Sequence, residues 1–228
     1  MRLVALVWLR PGVSAERLAA FESAVAKLPD QLSPLRRSHL GRHLPGSVGG
    51  GDYTWDALLE GRDAGAVLDA PALRPFHEDV VERLDPVGFE PQERRIGEPA
   101  IQRCVKRTLL LRVLPGASAA AVDRFERDTR RMPDQIPSIR NWAFSRTDPT
   151  LVPTAWTHVW EQEFRDVSGL EVDYMTHPYH WGVVDGWFDP ACPQCVVHPQ
   201  LAHVYYEAPA SILGWAAAAP TGSREVER

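Results

Sequence analysis

The residues best suited to chemistry are histidines and a tyrosine between positions 156 and 187. Tyr174, His177 and His180 lie close together, and His158 stands upstream in a run rich in aromatic residues. An imidazole titrates near neutral pH, so it can take up and return a proton there. Beside a substrate carbonyl, such a base can form an enolate while a tyrosine hydroxyl donates a hydrogen bond to the oxyanion. These residues favour proton transfer on a small carbonyl-rich molecule without a cofactor.

The spacing around His180 predicts the helix that would position it. Pro178 suits the first turn of a helix, and His177 before it is biased away from helical geometry. Three apolar residues follow His180 at i+3, i+4 and i+7 on the same helical face: Val183, Val184 and Trp187. The alternative is a core histidine that is hydrogen-bonded to a backbone carbonyl, as buried polar groups usually are.

A strand over residues 155–164 predicts an aromatic wall for the same site. Side chains alternate between the two faces of a strand, so one face would carry Trp156, His158, Trp160, Gln162 and Phe164. This set suits the wall of a pocket, and core packing against a helix is the alternative. Five of the eight tryptophans lie in the second copy, residues 105–208, which favours a flat apolar or aromatic ligand there.

Two copies of one unit occupy most of the chain. Residues 2–42 align without gaps on residues 106–146, with 12 identities in 41 positions. Each copy predicts the order β-α-β-β-α-β, which is ferredoxin-like. We therefore expect an α+β fold in which two fused ferredoxin-like repeats close face to face into an intrachain barrel around a small-molecule pocket. The predicted boundaries are 1–95 and 105–208, with a mobile tail over 209–228 that could dock through Ile212 to Trp215.

Local signals predict the elements within each copy. The first strands are expected over Leu3 to Leu9 and Leu109 to Leu114. Ser14 and Ser118 are expected to cap the following helices, which Pro29 and Pro133 would end. Two strands, a short helical pair and a last strand complete each unit.

Thr157-His158, Asp173-Tyr174 and the His177-Pro178-x-His180 segment resemble the stress-responsive dimeric α/β barrel (Dabb) family. The resemblance implies that a chain with two copies carries both halves of a barrel that single-copy members form by dimerisation. In a plant polyketide cyclase of the family, the matching tyrosine and second histidine form the catalytic pair. The resemblance therefore implies Tyr174 and His180 as the catalytic pair, with His158 as the strand histidine and His177 in the same site. It also implies polyketide cyclase-like aldol chemistry in biosynthesis.

The chain departs from the family pattern at several positions. Arg107 stands where members commonly carry a histidine in the first strand. In the first repeat, Trp55, Pro71 and Arg74 replace His158, Tyr174 and His177, and His77 alone is retained. We expect one working site in the second repeat, with substrate-binding residues Trp156, Trp160, Arg107, Trp181, Trp187 and His77.

A second constellation consists of Cys192, Cys195, His198 and His203. Soft ligands at this spacing suit zinc, although usual zinc patterns separate the two ligand pairs by a longer loop. Reduced cysteines without a metal are the other interpretation. Haem bound through a histidine such as His180 or His198 is a further alternative. The expected reaction itself needs no cofactor, so a non-catalytic ligand-, haem- or metal-binding barrel is the alternative to an enzyme.

Composition excludes several classes of partner. The formal net charge is -5 and no run of Lys or Arg occurs, so we expect no nucleic acid as partner. The first apolar run has seven residues before Arg10, which is too short for a membrane span and lacks a cleavage pattern. Three cysteines do not make a secreted disulfide framework. We expect a cytoplasmic protein that is a monomer by pseudo-dimerisation, or a homodimer.

Overall fold

The first repeat forms a four-stranded antiparallel sheet. The computed structural model describes residues 1–217. The strands are β1 (Arg2–Leu9), β2 (Leu35–Arg42), β3 (Tyr53–Leu59) and β4 (Val81–Phe89). Their order, β2-β3-β1-β4, places the first strand between the third and the fourth. This is the arrangement expected of a ferredoxin-like unit.

The second repeat forms a five-stranded antiparallel sheet. Its strands are β5 (Glu93–Ile96), β6 (Gln102–Leu111), β7 (Asn141–Arg146), β8 (His158–Phe164) and β9 (Ala202–Ala210). The order β5-β7-β8-β6-β9 repeats the order of the first sheet and adds β5 at one edge. The segment between the repeats is therefore part of the second sheet. The predicted α+β class with two ferredoxin-like repeats is confirmed.

Helices cover the outer face of each sheet. The helices are α1 (Ala15–Gln31), α2 (Gly65–Leu68), α3 (Arg74–His77) and α4 (Ala119–Gln135). Two π-helices (Gly169–Tyr174 and His180–Val184) and a 3₁₀ turn (Asp185–Trp187) connect β8 to β9. A further 3₁₀ turn spans Leu213–Ala217. Helical turns with π geometry are rare and occur often at functional sites.

The caps of α1 and α4 form as predicted, but the prolines do not end these helices. Ser14 Oγ and Ser118 Oγ each accept a backbone hydrogen bond from the first turn. Pro29 and Pro133 lie inside the last turn, because a proline there removes one N–H without blocking the chain beyond it. In α1 the Val25 carbonyl, four residues before Pro29, instead accepts a hydrogen bond from Ser38 Oγ at 3.0 Å.

The predicted first strand of the second repeat was misplaced. It was expected over 109–114, whereas β6 begins at Gln102 and ends at Leu111. Its earlier residues pair with β8 and β9 on both sides, so neighbouring strands extend β6 further than its apolar run indicated. Beyond the strand, Leu114 donates a backbone hydrogen bond to Val196 at 2.7 Å.

The inner faces of the two sheets pack against each other. One apolar cluster draws on both sheets and includes Val4, Leu6, Val87, Phe89, Leu110, Val159 and Val204. Beside it lies a buried cluster of charges: Arg2, Asp56, Lys106 and Glu161. Ion pairs from the first sheet to the second thus join the repeats, and the hydroxyl of Tyr206 donates to Asp56 Oδ2 at 2.8 Å.

The start of the expected C-terminal tail is ordered against the second sheet. Strand β9 continues to Ala210, and Ile212 and Leu213 are buried. Their backbone N–H groups donate to Glu163 Oε1 at 2.6 and 2.9 Å. The docking expected for Ile212 to Trp215 is therefore present at least through Leu213. The remainder of the predicted tail, residues 218–228, lies outside the described residues.

Candidate active site

A cavity of about 310 Å³ lies between the outer face of the second sheet and the helices that cover it. It is therefore not enclosed between the two sheets, as the barrel prediction expected, because those inner faces are filled by side chains. Polar and charged residues at the cavity are Arg107, Thr129, Tyr174, His180, Asp185 and His203. The apolar lining consists of Val48, Leu109, Met132, Trp160, Met175, Val184, Phe188 and Leu201.

The two π-helices bring Tyr174 and His180 together. Tyr174 is the last residue of the first π-helix and His180 is the first residue of the second. Their ring centroids lie 4.7 Å apart at an interplanar angle of 71°, so the rings meet edge to face. The Tyr174 hydroxyl is directed at Met132 Sδ, 3.7 Å away, which is a weak acceptor. The hydroxyl therefore remains able to donate to a substrate oxygen.

His180 is buried and holds an uncommitted ring nitrogen. Asp185 Oδ1 lies 3.2 Å from Nδ1, but the geometry is not that of a hydrogen bond, and Nδ1 has no such partner among residues 1–217. Burial lowers the pKa of His180 to about 4, and the charges of Arg107 and His177 act in the same direction. The ring is thus neutral at pH 7 and can accept a proton.

His203 reaches the same cavity from strand β9. Burial lowers its pKa to about 3, with smaller contributions from Arg107 and His180, and its Nε2 has no hydrogen-bond partner in the described chain. From the sequence, His203 was expected only as an alternative metal ligand. Its place becomes clear from the pairing of β6 with β9, which sets Leu109 opposite His203.

Arg107 lies on the floor of the cavity, on strand β6. Its side chain is 3% exposed, and Nη1 donates to Gln162 Oε1 at 2.5 Å. The guanidinium carbon lies 5.1 Å from the centre of the Tyr174 ring. Burial lowers the pKa of Arg107, and Tyr174 offsets this only in part. The structure therefore places Arg107 and Trp160, two predicted substrate-binding residues, at the cavity with Tyr174 and His180.

The first repeat contributes a loop to the site of the second. Val48 lies in the loop that connects β2 to β3 of the first sheet. It is 56% exposed and lines the cavity of the second repeat. Its backbone pairs with that of His203 through two hydrogen bonds of 2.8 and 2.9 Å. Gly49 follows with φ of +75°, and a Cβ there would lie 2.3 Å from the carbonyl oxygen of Leu201. The close approach of this loop to β9 therefore requires glycine.

His158 does not reach the cavity. Its Nε2 lies 2.9 Å from Glu126 Oε1 and its Nδ1 lies 2.8 Å from Thr157 Oγ1, so both nitrogens have partners within the fold. Burial alone would raise the pKa of Glu126, but hydrogen bonds from His158 and Arg146 outweigh it and lower the pKa to about 2. His158, the first residue of β8, thus belongs to a buried polar network beside the site.

Four other predicted site residues lie away from the cavity. Trp156 precedes β8 and packs between the sheets, where Nε1 donates to Asp85 at 3.2 Å. Trp181 is 61% exposed, because its position is one residue off the buried helical face. Trp187 is buried beside Phe125 and donates to Asp128. His77 is exposed in the first repeat.

His177 stands near the site without lining it. Its Nδ1 accepts a hydrogen bond from the backbone N–H of Tyr179 at 3.2 Å, which secures the start of the next helix. The ring is half-buried. Its charge is one of the causes of the low pKa of His180. His177 therefore acts on His180 in two ways: it fixes the start of the helix that carries His180, and it lowers the pKa of His180.

The proposed zinc ligands are not brought together. No group of three or more His, Cys, Asp or Glu side chains in the described part of the chain could hold a metal ion. Cys192 Sγ is directed at Asp189 and Cys195 Sγ at the carbonyl of Val197. His198 Nδ1 accepts from the backbone of Gln200, while His203 faces the cavity. The four residues therefore take separate local roles.

The ionisation of His180 gives a direct test of the site. We expect its imidazole to titrate with a midpoint near pH 4, well below the ordinary ~6.5, because burial and Arg107 disfavour the charged ring. The base form would then be present from about pH 5 upward, and a reaction that needs it would slow as the pH falls below about 4. Nitrogen-15 NMR of the imidazole would measure the midpoint. A midpoint at or above 6.5 would contradict the prediction.

These features define an α+β barrel built from two ferredoxin-like repeats, with a cavity of small-molecule size in the second. Residues 105–198 match the model of the stress responsive A/B barrel domain, Dabb. The second repeat is therefore a Dabb domain, as the His-Pro-x-His segment indicated. No curated protein matches the chain.

Solved structures share this fold over nearly the whole chain. An anthrone oxidase-like protein has 12% identity and a TM-score of 0.61, covering 90% of this chain and 89% of its own. A putative monooxygenase from Fusobacterium nucleatum has 8% identity and a TM-score of 0.57, covering 92% and 95%. Another putative monooxygenase, from Lactobacillus acidophilus, has 10% identity and a TM-score of 0.52, covering 92% and 97%. At such low identity these similarities show the shared fold alone.

None of the helices within residues 1–217 is both long enough and apolar enough to cross a bilayer.

Proposed function

We propose that the protein is a small-molecule enzyme that removes a proton from a carbon beside a carbonyl group. Aldol closure of a carbonyl-rich, polyketide-like substrate would follow, as in a polyketide cyclase. The observation that carries the proposal is His180: its neutral ring lines an aromatic-walled cavity and meets the Tyr174 ring there. A base and a hydrogen-bond donor at one cavity are the two groups that enolate formation requires.

The proton transfers balance without any further reactant. The neutral imidazole of His180 accepts the proton from the substrate carbon, and the electron pair of the C–H bond becomes an enolate. The Tyr174 hydroxyl donates to the enolate oxygen. The enolate carbon then attacks a second carbonyl of the same molecule, forming the C–C bond and an alkoxide. His180 returns its proton to that alkoxide and is neutral again.

The low pKa of His180 is compatible with its role as the base. Arg107 disfavours a second positive charge on the nearby imidazole, and this is one cause of the low pKa. Negative charge that develops on the substrate oxygen offsets the charge of Arg107. The basicity of His180 therefore increases as the enolate forms, which couples proton transfer to charge stabilisation.

The cavity walls would hold the substrate in a reactive conformation. Trp160, Met132 and Leu109 belong to the apolar lining of the cavity. Folding a flexible chain so that two reacting carbons meet replaces a large entropic barrier with binding. The volume of about 310 Å³ suits a molecule with one or two rings.

A second candidate function is cofactor-free oxygenation. The same enolate could react with dioxygen instead of a second carbonyl. The names of the structural neighbours, an anthrone oxidase-like protein and putative monooxygenases, favour this candidate. Product analysis would separate the candidates, since oxygenation consumes dioxygen and aldol closure does not.

The proposal can be tested by solvent-deuterium exchange. Wild-type protein in D₂O would be incubated with triketide pyrones, aryl β-diketones and anthrones, and deuterium at the α-carbon measured by mass spectrometry. We expect catalysed exchange with at least one of these classes. Tyr174→Phe should reduce that exchange by about 10²-fold, because it removes a donor to the developing oxyanion.

A matched control is Tyr179→Phe. Tyr179 is half-buried, donates to the Asp128 carbonyl and does not line the cavity. Removal of its hydroxyl should therefore leave the rate of deuterium exchange within about twofold of the wild-type rate. Equal rates in Tyr174→Phe and wild type would contradict the proposal. Tight binding without exchange across all three classes would instead favour a non-catalytic ligand-binding barrel.

A further inference from the structure

Arg107 is a buried charge without a counter-ion. Its side chain is 3% exposed, and it donates to the neutral amide of Gln162, with the Tyr174 hydroxyl as a further hydrogen-bond partner. Nε has no partner in the described structure, and no carboxylate of residues 1–217 forms an ion pair with the guanidinium. A charge removed from water is unfavourable unless it is paired.

The other buried cations among residues 1–217 are paired. Arg2 and Lys106, both buried between the sheets, each contact Asp56 and Glu161. Lys106 directly precedes Arg107 on β6 but faces the opposite side of the sheet. The fold thus pairs the cations on its inner face and leaves Arg107 without a counter-ion at the cavity.

The cavity itself does not supply the missing charge. Its acidic residue, Asp185, lies beside His180 and is half-exposed. Burial raises the pKa of Asp185 and lowers the pKa of both His180 and His203. Arg107 is therefore a fixed positive charge in surroundings of neutral histidines and apolar walls.

We propose that Arg107 binds an ionised carboxylate of the ligand, so that the substrate is a carbonyl-rich or aromatic carboxylic acid. The guanidinium fork matches a carboxylate, and its Nε side has no acceptor from the protein. Because both Arg107 and His180 contact the Tyr174 ring, a carboxylate held at Arg107 directs the carbon skeleton toward His180. The assignment of Arg107 to a substrate site rests on the proposed function and adds the chemical class of the substrate.

Binding of isosteric probes tests this assignment. Affinities of 2-naphthoate, 2-naphthamide and 2-naphthol at pH 7.5 would be measured by calorimetry and by quenching of tryptophan fluorescence, since Trp160 lines the cavity. We expect wild-type protein to bind naphthoate about 10- to 100-fold more tightly than naphthamide, because charge-assisted hydrogen bonds are the strong ones. Arg107→Gln should remove this preference, and Arg107→Lys should keep part of it.

Thermal unfolding separates carboxylate binding from a purely structural role of Arg107, for which Arg107→Gln would lower the Tm of the ligand-free protein. If Arg107 binds the carboxylate, Arg107→Gln breaks no ion pair, so the variant without ligand should melt at the temperature of the wild type or above it. Naphthoate should then no longer raise the Tm of the variant. Arg112→Gln is the matched control, since Arg112 lies just after β6 against Trp156 and outside the cavity. It should bind naphthoate as the wild type does.

Three outcomes would overturn the assignment. They are equal binding of naphthoate and naphthamide, failure of naphthoate, benzoate and hexanoate alike to bind, and preference for naphthol, which would assign Arg107 to a phenol or enolate oxygen. The assay does not depend on turnover, so His180→Ala should keep the carboxylate preference. Carboxylate binding without deuterium exchange would therefore contradict the proposed reaction but still support a carboxylate site at Arg107.

Discussion

Replacing His180 with alanine is expected to reduce turnover of an exchanging substrate by about 10²- to 10⁴-fold, the usual contribution of a positioned general base. The ring nitrogen Nδ1 has no hydrogen-bond partner within the described residues, so the variant loses the proton acceptor without breaking a structural hydrogen bond. The loss should appear in kcat, with KM changed much less, because His180 interacts with the reacting hydrogen. Initial rates of deuterium exchange and of product formation would measure it.

The sequence repeat supplies a matched control for this variant. His77 aligns with His180 but is exposed in the first repeat and does not line the cavity. His77→Ala should retain the wild-type rate. Thermal unfolding of both variants would show whether a loss of rate reflects a loss of fold. A folded His180→Ala protein with full activity would exclude His180 as the base, and equal losses in both variants would exclude an asymmetric pair of repeats.

The scaffold could be predicted because local patterns and the repeat agree. Serine caps, helical periodicity and short apolar strands occur twice in one register, and the structure shows the same strand order twice. The errors arose where neighbouring strands decide. Residues before Leu109 extend β6 because β8 and β9 pair with them, and Trp156 left its predicted face because β8 begins only at His158.

The site could be predicted in part. Tyr174 and His180 follow from one short motif, and Arg107 from its alignment with a family position. His203 could not be placed, because β9 lies beside β6 only once the sheet order is known. Val48 comes from the other repeat, and no spacing along the chain indicates such a contact.

The charges between the sheets had no sequence signal. Arg2 precedes an apolar run, and Asp56 interrupts another, so neither pattern indicates a pair. They meet because the inner faces of two sheets bring β1 and β3 of the first repeat against β6 and β8 of the second. Opposite charges at these positions join the repeats in one relative placement, which is a role that buried ion pairs can serve.

Replacing Asp56 with alanine is expected to lower the free energy of unfolding by about 3–5 kcal/mol, the range for removing one partner of a buried ion pair. Asp56 contacts Arg2, Lys106 and Tyr206 from a fully buried position. Burial alone would raise the pKa of Asp56, but Lys106 and Arg2 outweigh it and hold the pKa below its usual range. The carboxylate therefore stabilises the fold at neutral pH, and this contribution disappears as the pH falls through the lowered pKa.

Urea unfolding at pH 7 would measure this loss, and two comparisons sharpen it. Asp56→Asn keeps the shape of the side chain and an acceptor oxygen, so it should fold even if the alanine variant does not. Its lower free energy of unfolding would then reflect the loss of the charge. Asp79→Ala removes an exposed carboxylate paired with Arg17 and should leave the unfolding midpoint nearly unchanged, because solvent screens that pair. A free energy of unfolding of Asp56→Ala within about 1 kcal/mol of the wild-type value would contradict the prediction. Glu161 alone would then neutralise both cations, and the buried cluster would not fix the two repeats together.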